Sequence, residues 1–533
     1  MKRQNISTVC FRSSWLRVVI VTTIWAASPS LIGLPNTSKV LAQTASGSAL
    51  ELSDTQYPMQ TAQQQPTGVE DPETDPLAEE AGQYLQQGID RLLSGEELQA
   101  ALDNFQEALK LYQEANSRQG EARALTGIGL AYFSLGQFGE AIEHFQPALI
   151  IVRDLDDRQG EGIVLGGLGE AYFMSGQYAQ AIEHFQPALT VAQERGDHEG
   201  EADLFDMLGE AHFRLGQYDH STENFQRAVI VTREIDDYQS EASALRKLGH
   251  AYFESGRYAE AAETARQSLT VAQERGDRQE EAYAFNNLGS IYVRLGQYDQ
   301  ALEAYQEAIM TSQTIDDSQG EADALQGLGY VYDSLEQYSQ AVETYQKSIA
   351  IAQATGDRYV EGHSLSNLGY SYIGLQQYPQ ALESLQAALV VVRETEDRPL
   401  EASTFIGLGR VHESLEQYPP AIESYQQGLA VAQEIGDHRQ EGNALEGLGK
   451  SYYKLGEHSQ ANEFFQQALD IGRATNDRYI EAAMLANLGE VAHSSQQYLQ
   501  ASELYQQALE IAQEIGAEEL EQAVSSNIEL LEK

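Results

Sequence analysis

Residues 157–196 read DRQGEGIVLGGLGEAYFMSGQYAQAIEHFQPALTVAQERG. Asp157 is an N-cap residue, able to accept hydrogen bonds from the free N–H groups at a helix start. Leu165, Leu168 and Tyr172 then recur at helical spacing, which predicts helix A from about Arg158 to Ser175. Gly176 can take the left-handed conformation that ends such a helix. Tyr178, Ala181, Ile182, Phe185, Ala188 and Leu189 mark the apolar face of helix B, which should end near Arg195, with Gly196 and Asp197 closing the unit. Gly169, Ala181 and Ala188 let the two helices approach closely, and Tyr172 and Phe185 fill the space beside them.

The same pattern returns every 40 residues. Gly129, Gly169, Gly209, Gly249, Gly289, Gly329, Gly369, Gly409, Gly449 and Gly489 share one register, each preceded by Leu or Ile. A unit of this kind cannot bury its apolar face alone, so the copies must stack. The chain therefore reads as a degenerate N-terminal helical repeat (82–117), ten 40-residue repeats (118–516) and a C-terminal capping segment (517–533), in which Glu518 to Leu531 forms one further helix. Pro147 and Pro187 fall inside helix B and should kink it. Pro379, Pro419 and Pro420 fall at helix starts, where proline is tolerated.

The spacing of Leu168, Gly169, Tyr172, Ala181, Phe185 and Ala188 resembles the tetratricopeptide repeat consensus position for position. The 40-residue length and the series Gly276, Asp277, Arg278, Glu281, Ala282, Asn287, Leu288, Gly289 resemble the extended subtype of Rapsyn- and Pins/LGN-like arrays and of exported cyanobacterial proteins. The resemblance runs from residue 82 onward. It implies an all-α, right-handed superhelical solenoid of antiparallel helix pairs, with helix A lining a concave groove that binds a protein or peptide. Neither a GoLoco-like tail nor a caspase-like domain stands among the 533 residues, so the resemblance carries over a fold and not a partner.

Charge and rare residues bound the function. Lys and Arg number 33 against 81 Asp and Glu, a formal net charge of -48, which argues against nucleic-acid binding because phosphate neutralisation needs a basic surface. Cys10, Trp15 and Trp25 all precede the first acidic residue, Glu51. The basic start (Lys2, Arg3, Arg12, Arg17), the apolar run from Val18 to Leu34 and the small residues near Ala42 predict a signal peptide over 1–42 and an exported protein, periplasmic or extracellular. Membrane attachment is expected only if this segment stays uncleaved. Residues 43–81, with Pro58, Pro66, Pro72 and Pro76 and a run of Gln, read as a flexible linker.

No catalytic motif, metal site or cofactor site emerges, so the chain reads as non-enzymatic. Ser451-Tyr452-Tyr453-Lys454 fits a Ser-Lys nucleophile pattern, but Tyr452 is the ordinary helix-A tyrosine of the repeat. His144 and His184 are equivalents in neighbouring copies and read as solvated helix-B residues. The Glu161 series recurs with the period in the first turn of helix A, where the helix dipole favours negative charge. A longer period of 80 residues lies inside the first: Arg153, Arg233, Arg393 and Arg473 alternate with Gln193, Gln273, Gln353, Gln433 and Gln513. Tandem duplication and a partner touching every second copy both fit that alternation.

The groove positions differ between copies. Basic and amide groups collect at Arg214, Arg246, Lys247, His250, Asn286, Asn287 and Arg294, an arrangement of donors suited to a carboxylate or an acidic segment of a partner. The competing reading pairs Asp206 with Arg246 and Glu210 with His250 across neighbouring helices. The expected function is a binding scaffold; a structural spacer and a peptide-sensing regulator are the alternatives.

Overall fold

In the computed structural model, which describes residues 75–95 and 97–531, every regular element among the described residues is an α-helix. The expected signal segment 1–42, and residues 43–74 of the expected linker, lie outside the described residues. The chain divides into two units, one ending at Arg257 and the other beginning at Tyr258. The first unit holds α1 (Pro76–Ser94), α2 (Leu98–Glu114), α3 (Arg118–Ser134), α4 (Phe138–Asp154), α5 (Arg158–Met174), α6 (Tyr178–Arg195), α7 (His198–Arg214), α8 (Tyr218–Glu234) and α9 (Tyr238–Glu254). The second holds α10 (Tyr258–Arg275), α11 (Arg278–Arg294), α12 (Tyr298–Thr314), α13 (Ser318–Ser334), α14 (Tyr338–Thr355), α15 (Arg358–Gly374), α16 (Tyr378–Thr395), α17 (Arg398–Ser414), α18 (Tyr418–Ile435), α19 (His438–Lys454), α20 (His458–Ala474), α21 (Arg478–Ser494), α22 (Tyr498–Ile515) and α23 (Glu518–Leu531).

The cap residues act as their chemistry predicts. Asp157 accepts from the Gly160 N–H at 2.9 Å to start α5, and Asp197, Asp237, Asp317 and Asp397 do the same for α7, α9, α13 and α17. Gly176 ends the A helix at φ 78°. Asp156, Asp236 and Asp316, which stand where other copies have glycine, adopt the same left-handed conformation at φ 53–58°, a region that short polar side chains tolerate. α1 begins at Pro76 and takes in residues 76–81, which composition assigns to the linker. Asp75 accepts from the Leu77 N–H and Pro76 supplies a helical φ, so the helix starts as soon as a cap is available. α4 and α6 each run on as one helix with Pro147 and Pro187 inside.

One aromatic ring closes most copies. Phe145 of α4, fully buried, lies against Gly129 of its own A helix and Gly167 of the next; a Cβ at those glycines would stand 2.6 and 2.8 Å from the ring. Tyr425 of α18 is held the same way by Gly409 and Gly447. Ala265 of α10 occupies this position, and that helix buries only Ala261, Ala262, Thr264, Ala265, Ser268 and Ala272. Lacking the ring, α10 is expected to exchange its amide hydrogens about tenfold or more faster than α12, which carries Tyr305. Equal protection in a hydrogen-exchange experiment would show that other side chains make good the loss.

The repeated glutamates are structural. Glu161 is buried at 9% exposure and is bound by Arg153 Nε at 2.8 Å and Arg158 Nη1 at 2.6 Å. The paired guanidinium groups hold its carboxyl below the usual range, against the opposing effect of burial. In the second unit Glu401 receives Arg393 Nε at 3.0 Å and also binds Arg398. Where the alternating residue is Gln, its amide donates to the same glutamate, as from Gln193 to Glu201 at 3.0 Å and from Gln353 to Glu361 at 2.9 Å. Both residues of the 80-residue alternation thus serve one internal contact.

α23 ends the second unit by burying Val524 completely, with Leu520, Ile528 and Leu531 packed beside it, while Glu518, Glu519 and Glu521 occupy its first turn. Within each unit, A helices of successive copies touch one another, as α1 with α3 and α11 with α13, whereas B helices meet A helices. The A helices therefore form the inner layer of each unit.

Candidate functional site: the inner faces of the A helices

In the first unit, the basic residues expected to form a donor array already have partners. Lys247 Nζ of α9 lies 2.5 Å from Asp206 Oδ2 of α7, with both side chains at most about a quarter exposed. Arg214 Nε binds Glu210 Oε1 one turn earlier in α7 at 2.9 Å. The His250 ring packs on Phe213 with centroids 4.9 Å apart, and its Nε2 lies 3.5 Å from Glu254. Asp206 thus pairs with Lys247, the residue next to Arg246, and Glu210 pairs with Arg214 within its own helix. For Glu210 the reason is geometric: an i,i+4 partner on the same helix is always within reach, whereas a partner on the next helix depends on the offset between helices. Asn286, Asn287 and Arg294 lie on α11 in the second unit, whereas Arg214 lies on α7 and Arg246, Lys247 and His250 lie on α9 in the first. The Oδ1 atom of Asn286 is buried there and accepts no hydrogen bond.

The second unit carries an inner polar row that residue types alone do not reveal. The closing residues change from Phe105, Phe145, Phe185 and Phe225 in the first unit to a set dominated by Tyr305, Tyr345, Tyr425 and Tyr505 in the second, where Leu385 and Phe465 are the apolar exceptions beside Ala265. Each added hydroxyl points a polar atom at the inner layer. Tyr305 meets Ser290 Oγ at 2.9 Å. Tyr425 donates to Glu413 Oε2 at 2.8 Å, and burial beside that carboxylate pushes its hydroxyl far above the ordinary range. Tyr370 donates to the Ser403 carbonyl at 2.6 Å, Tyr453 meets Ser494 at 2.7 Å, and Tyr330 stays half exposed. The readable signal was an acid twelve residues before a closing tyrosine, as in Glu413 before Tyr425.

Asp333 belongs to this row. Ser371 Oγ donates to its Oδ1 at 2.7 Å, yet burial outweighs that bond and pushes the carboxyl up to about 6. A folded chain that holds this proton more tightly than the unfolded chain loses stability as pH rises from about 4 through about 6. Asp333→Asn removes the ionisation, so its stability relative to the parent should climb over that window and level off above it. Urea unfolding at about pH 4 and about pH 7 measures this; an equal difference at both would show that Asp333 titrates normally.

Two sequence signals for chemistry resolve structurally. Ser451 is fully buried, so no substrate reaches its hydroxyl. His144 and His184 each engage a backbone carbonyl through Nδ1 at 2.8 Å, and their rings lie tilted against Tyr132 and Tyr172. Among the described residues no group of three or more His, Cys, Asp or Glu is placed to hold a metal ion, and no helix is long and apolar enough to cross a membrane.

Comparison with known proteins agrees with the helix-pair geometry. A family model described as tetratricopeptide repeat matches residues 82–154, 120–194, 160–229, 201–274, 280–354, 361–434 and 421–474, and a second model of the same description matches 482–515. No curated protein sequence matches the chain. Among solved structures, the apo form of RapI is similar at 15% identity and a TM-score of 0.52, over 67% of this chain and 98% of that one. The apo quorum sensor NprR from B. thuringiensis matches at 15% identity and 0.44, over 67% and 99%. A signal transduction ATPase with numerous domains from Pyrococcus horikoshii, which carries a tetratricopeptide repeat sensor, matches at 16% and 0.45, over 64% and 54%.

Proposed function

The chain belongs to the tetratricopeptide repeat family, and from that premise we propose that it is a non-catalytic scaffold, exported from the cell, that binds a protein or peptide along the inner faces of its A helices. The observation that supports this most is where the copies differ. The Asp157 and Glu161 series repeat with the period, whereas the inner positions run from Thr126 through Asp206, Arg246 and Asn286 to Gln326. A pure spacer has no use for such variety on one face, while a surface that reads an extended chain needs it.

The test is capture from the native exported fraction with the full chain as bait. A stoichiometric partner that competes with no other copy of the chain supports the proposal; self-association into concentration-dependent polymers with no bound partner favours the spacer and overturns it. Export is tested separately. Sequencing of the N-terminus should find Gln43 first, and protein from the exported fraction should show tyrosine emission without tryptophan emission. Retention of Trp15 and Trp25 would refute cleavage.

A further inference from the structure

Glu170 of α5 is 8% exposed and makes no hydrogen bond or ion pair. It lines a small cavity together with Gly166, Phe185 of α6, and Asp203, Leu204 and Met207 of α7. Two carboxyl groups therefore share a largely apolar pocket inside the first unit. Burial pushes Glu170 up to about 8, and the charge of Asp203 adds to the effect.

Comparison between copies shows what is different at this level. Glu210, the equivalent of Glu170 one copy on, is neutralised by Arg214 at 2.9 Å, one helical turn later. The residue in the place of Arg214 is Met174, which brings no charge. Glu490, the equivalent in the second unit, accepts from Asn527 at 3.5 Å. Tyr370, also at this position, reaches across to the next A helix and donates to the Ser403 carbonyl, so a side chain here is aimed at the residue equivalent to Asp203. Leu130 and Ile163 make the corresponding level apolar in the copy before. Glu170 thus differs from Glu210 and Glu490 in having neither a cation nor an amide bound to it.

We propose that Glu170 and Asp203 form a subsite for a primary ammonium group, the side chain of a lysine on the bound polypeptide. The cavity has room for a group the size of a water molecule, which suits a compact ammonium and not a planar guanidinium. The net charge of -48 favours the approach of a cation. The proposal deepens the reading of the A-helix faces as a binding surface and rests on it.

The test uses methylammonium, which needs no partner, so its outcome is independent of the capture experiment. Thermal unfolding of the full chain is followed in methylammonium, tetramethylammonium and sodium chloride at equal concentration. Methylammonium should raise Tm above the other two, and the excess should vanish in Glu170→Gln. Met174→Arg, which recreates the Arg214 to Glu210 pairing, should raise Tm in the absence of methylammonium and also remove the excess; it decides the matter if Glu170→Gln does not fold. Equal shifts in all three salts would mean general screening and overturn the subsite, as would a larger shift in sodium, which would mark an inorganic cation site. A methylammonium effect without partner capture would count against the binding surface alone.

Discussion

Replacing Tyr425 by Ala should lower the stability of the second unit by about 3–5 kcal/mol, the usual range for emptying a large aromatic site in a core. The ring is 1% exposed and lies between Gly409 of α17 and Gly447 of α19, so its loss opens both the interface inside one copy and the interface to the next. The hydroxyl is separable from the ring. Tyr425→Phe keeps the packing and removes the donor to Glu413, which should cost about 1–3 kcal/mol, the penalty for leaving a partly buried acceptor unmet. Gly409→Ala attacks the same contact from the other side: a Cβ there would stand 2.6 Å from the ring, and overpacking of this kind costs about 1–3 kcal/mol. Urea unfolding of the three variants measures all of this. If Tyr425→Phe is as damaging as Tyr425→Ala, the hydrogen bond and not the ring closes the copy, and packing of the ring against paired glycines is not what holds the core together.

These contacts also show what a sequence discloses and what it withholds. Asp157, Gly176 and Gly196 were legible because caps and left-handed ends are decided within a few residues, and the structure needs only the local backbone to place them. The closing ring was legible because the spacing of Gly169 and Phe185 returns in most copies. The end of α5 at Met174 differs from the expected Ser175 by a frayed terminal residue. The role of Glu161 was half legible: its place in the first turn followed from periodicity, but its clasp by Arg153 and Arg158 joins α4 to α5, which a one-helix argument does not contain. Burial of Glu170 was not legible at all. A glutamate at an inner position is ordinarily solvated, and what surrounds it here are Phe185 of α6 and Asp203, Leu204 and Met207 of α7, side chains brought in by two other helices.

Arg246→Glu together with Lys247→Glu is expected to abolish capture of an acidic probe, a labelled oligoglutamate, if the first-unit cations form a site. The structure changes what must accompany that loss. Lys247 is already held at 2.5 Å by Asp206, with 26% and 19% of the two side chains exposed, so a glutamate at 247 sets two carboxylates against each other in a place with little water. Stability should therefore fall by about 1–3 kcal/mol even if binding is unrelated to these residues. Adding Asp206→Asn removes the repulsion and restores most of the loss, while leaving the cations absent. Capture read in that triple variant then reports the site and not the scaffold. If capture stays lost after stability has returned, Arg246 and Lys247 bind the acidic segment, and Lys247 must exchange its internal carboxylate for that of the partner. If capture returns with stability, the pair of Lys247 with Asp206 is a lateral tie between α7 and α9, and the acidic partner is withdrawn. An acidic probe bound equally well by all the variants would withdraw it more directly, since no geometry lets a surface stripped of both cations hold oligoglutamate as the parent does.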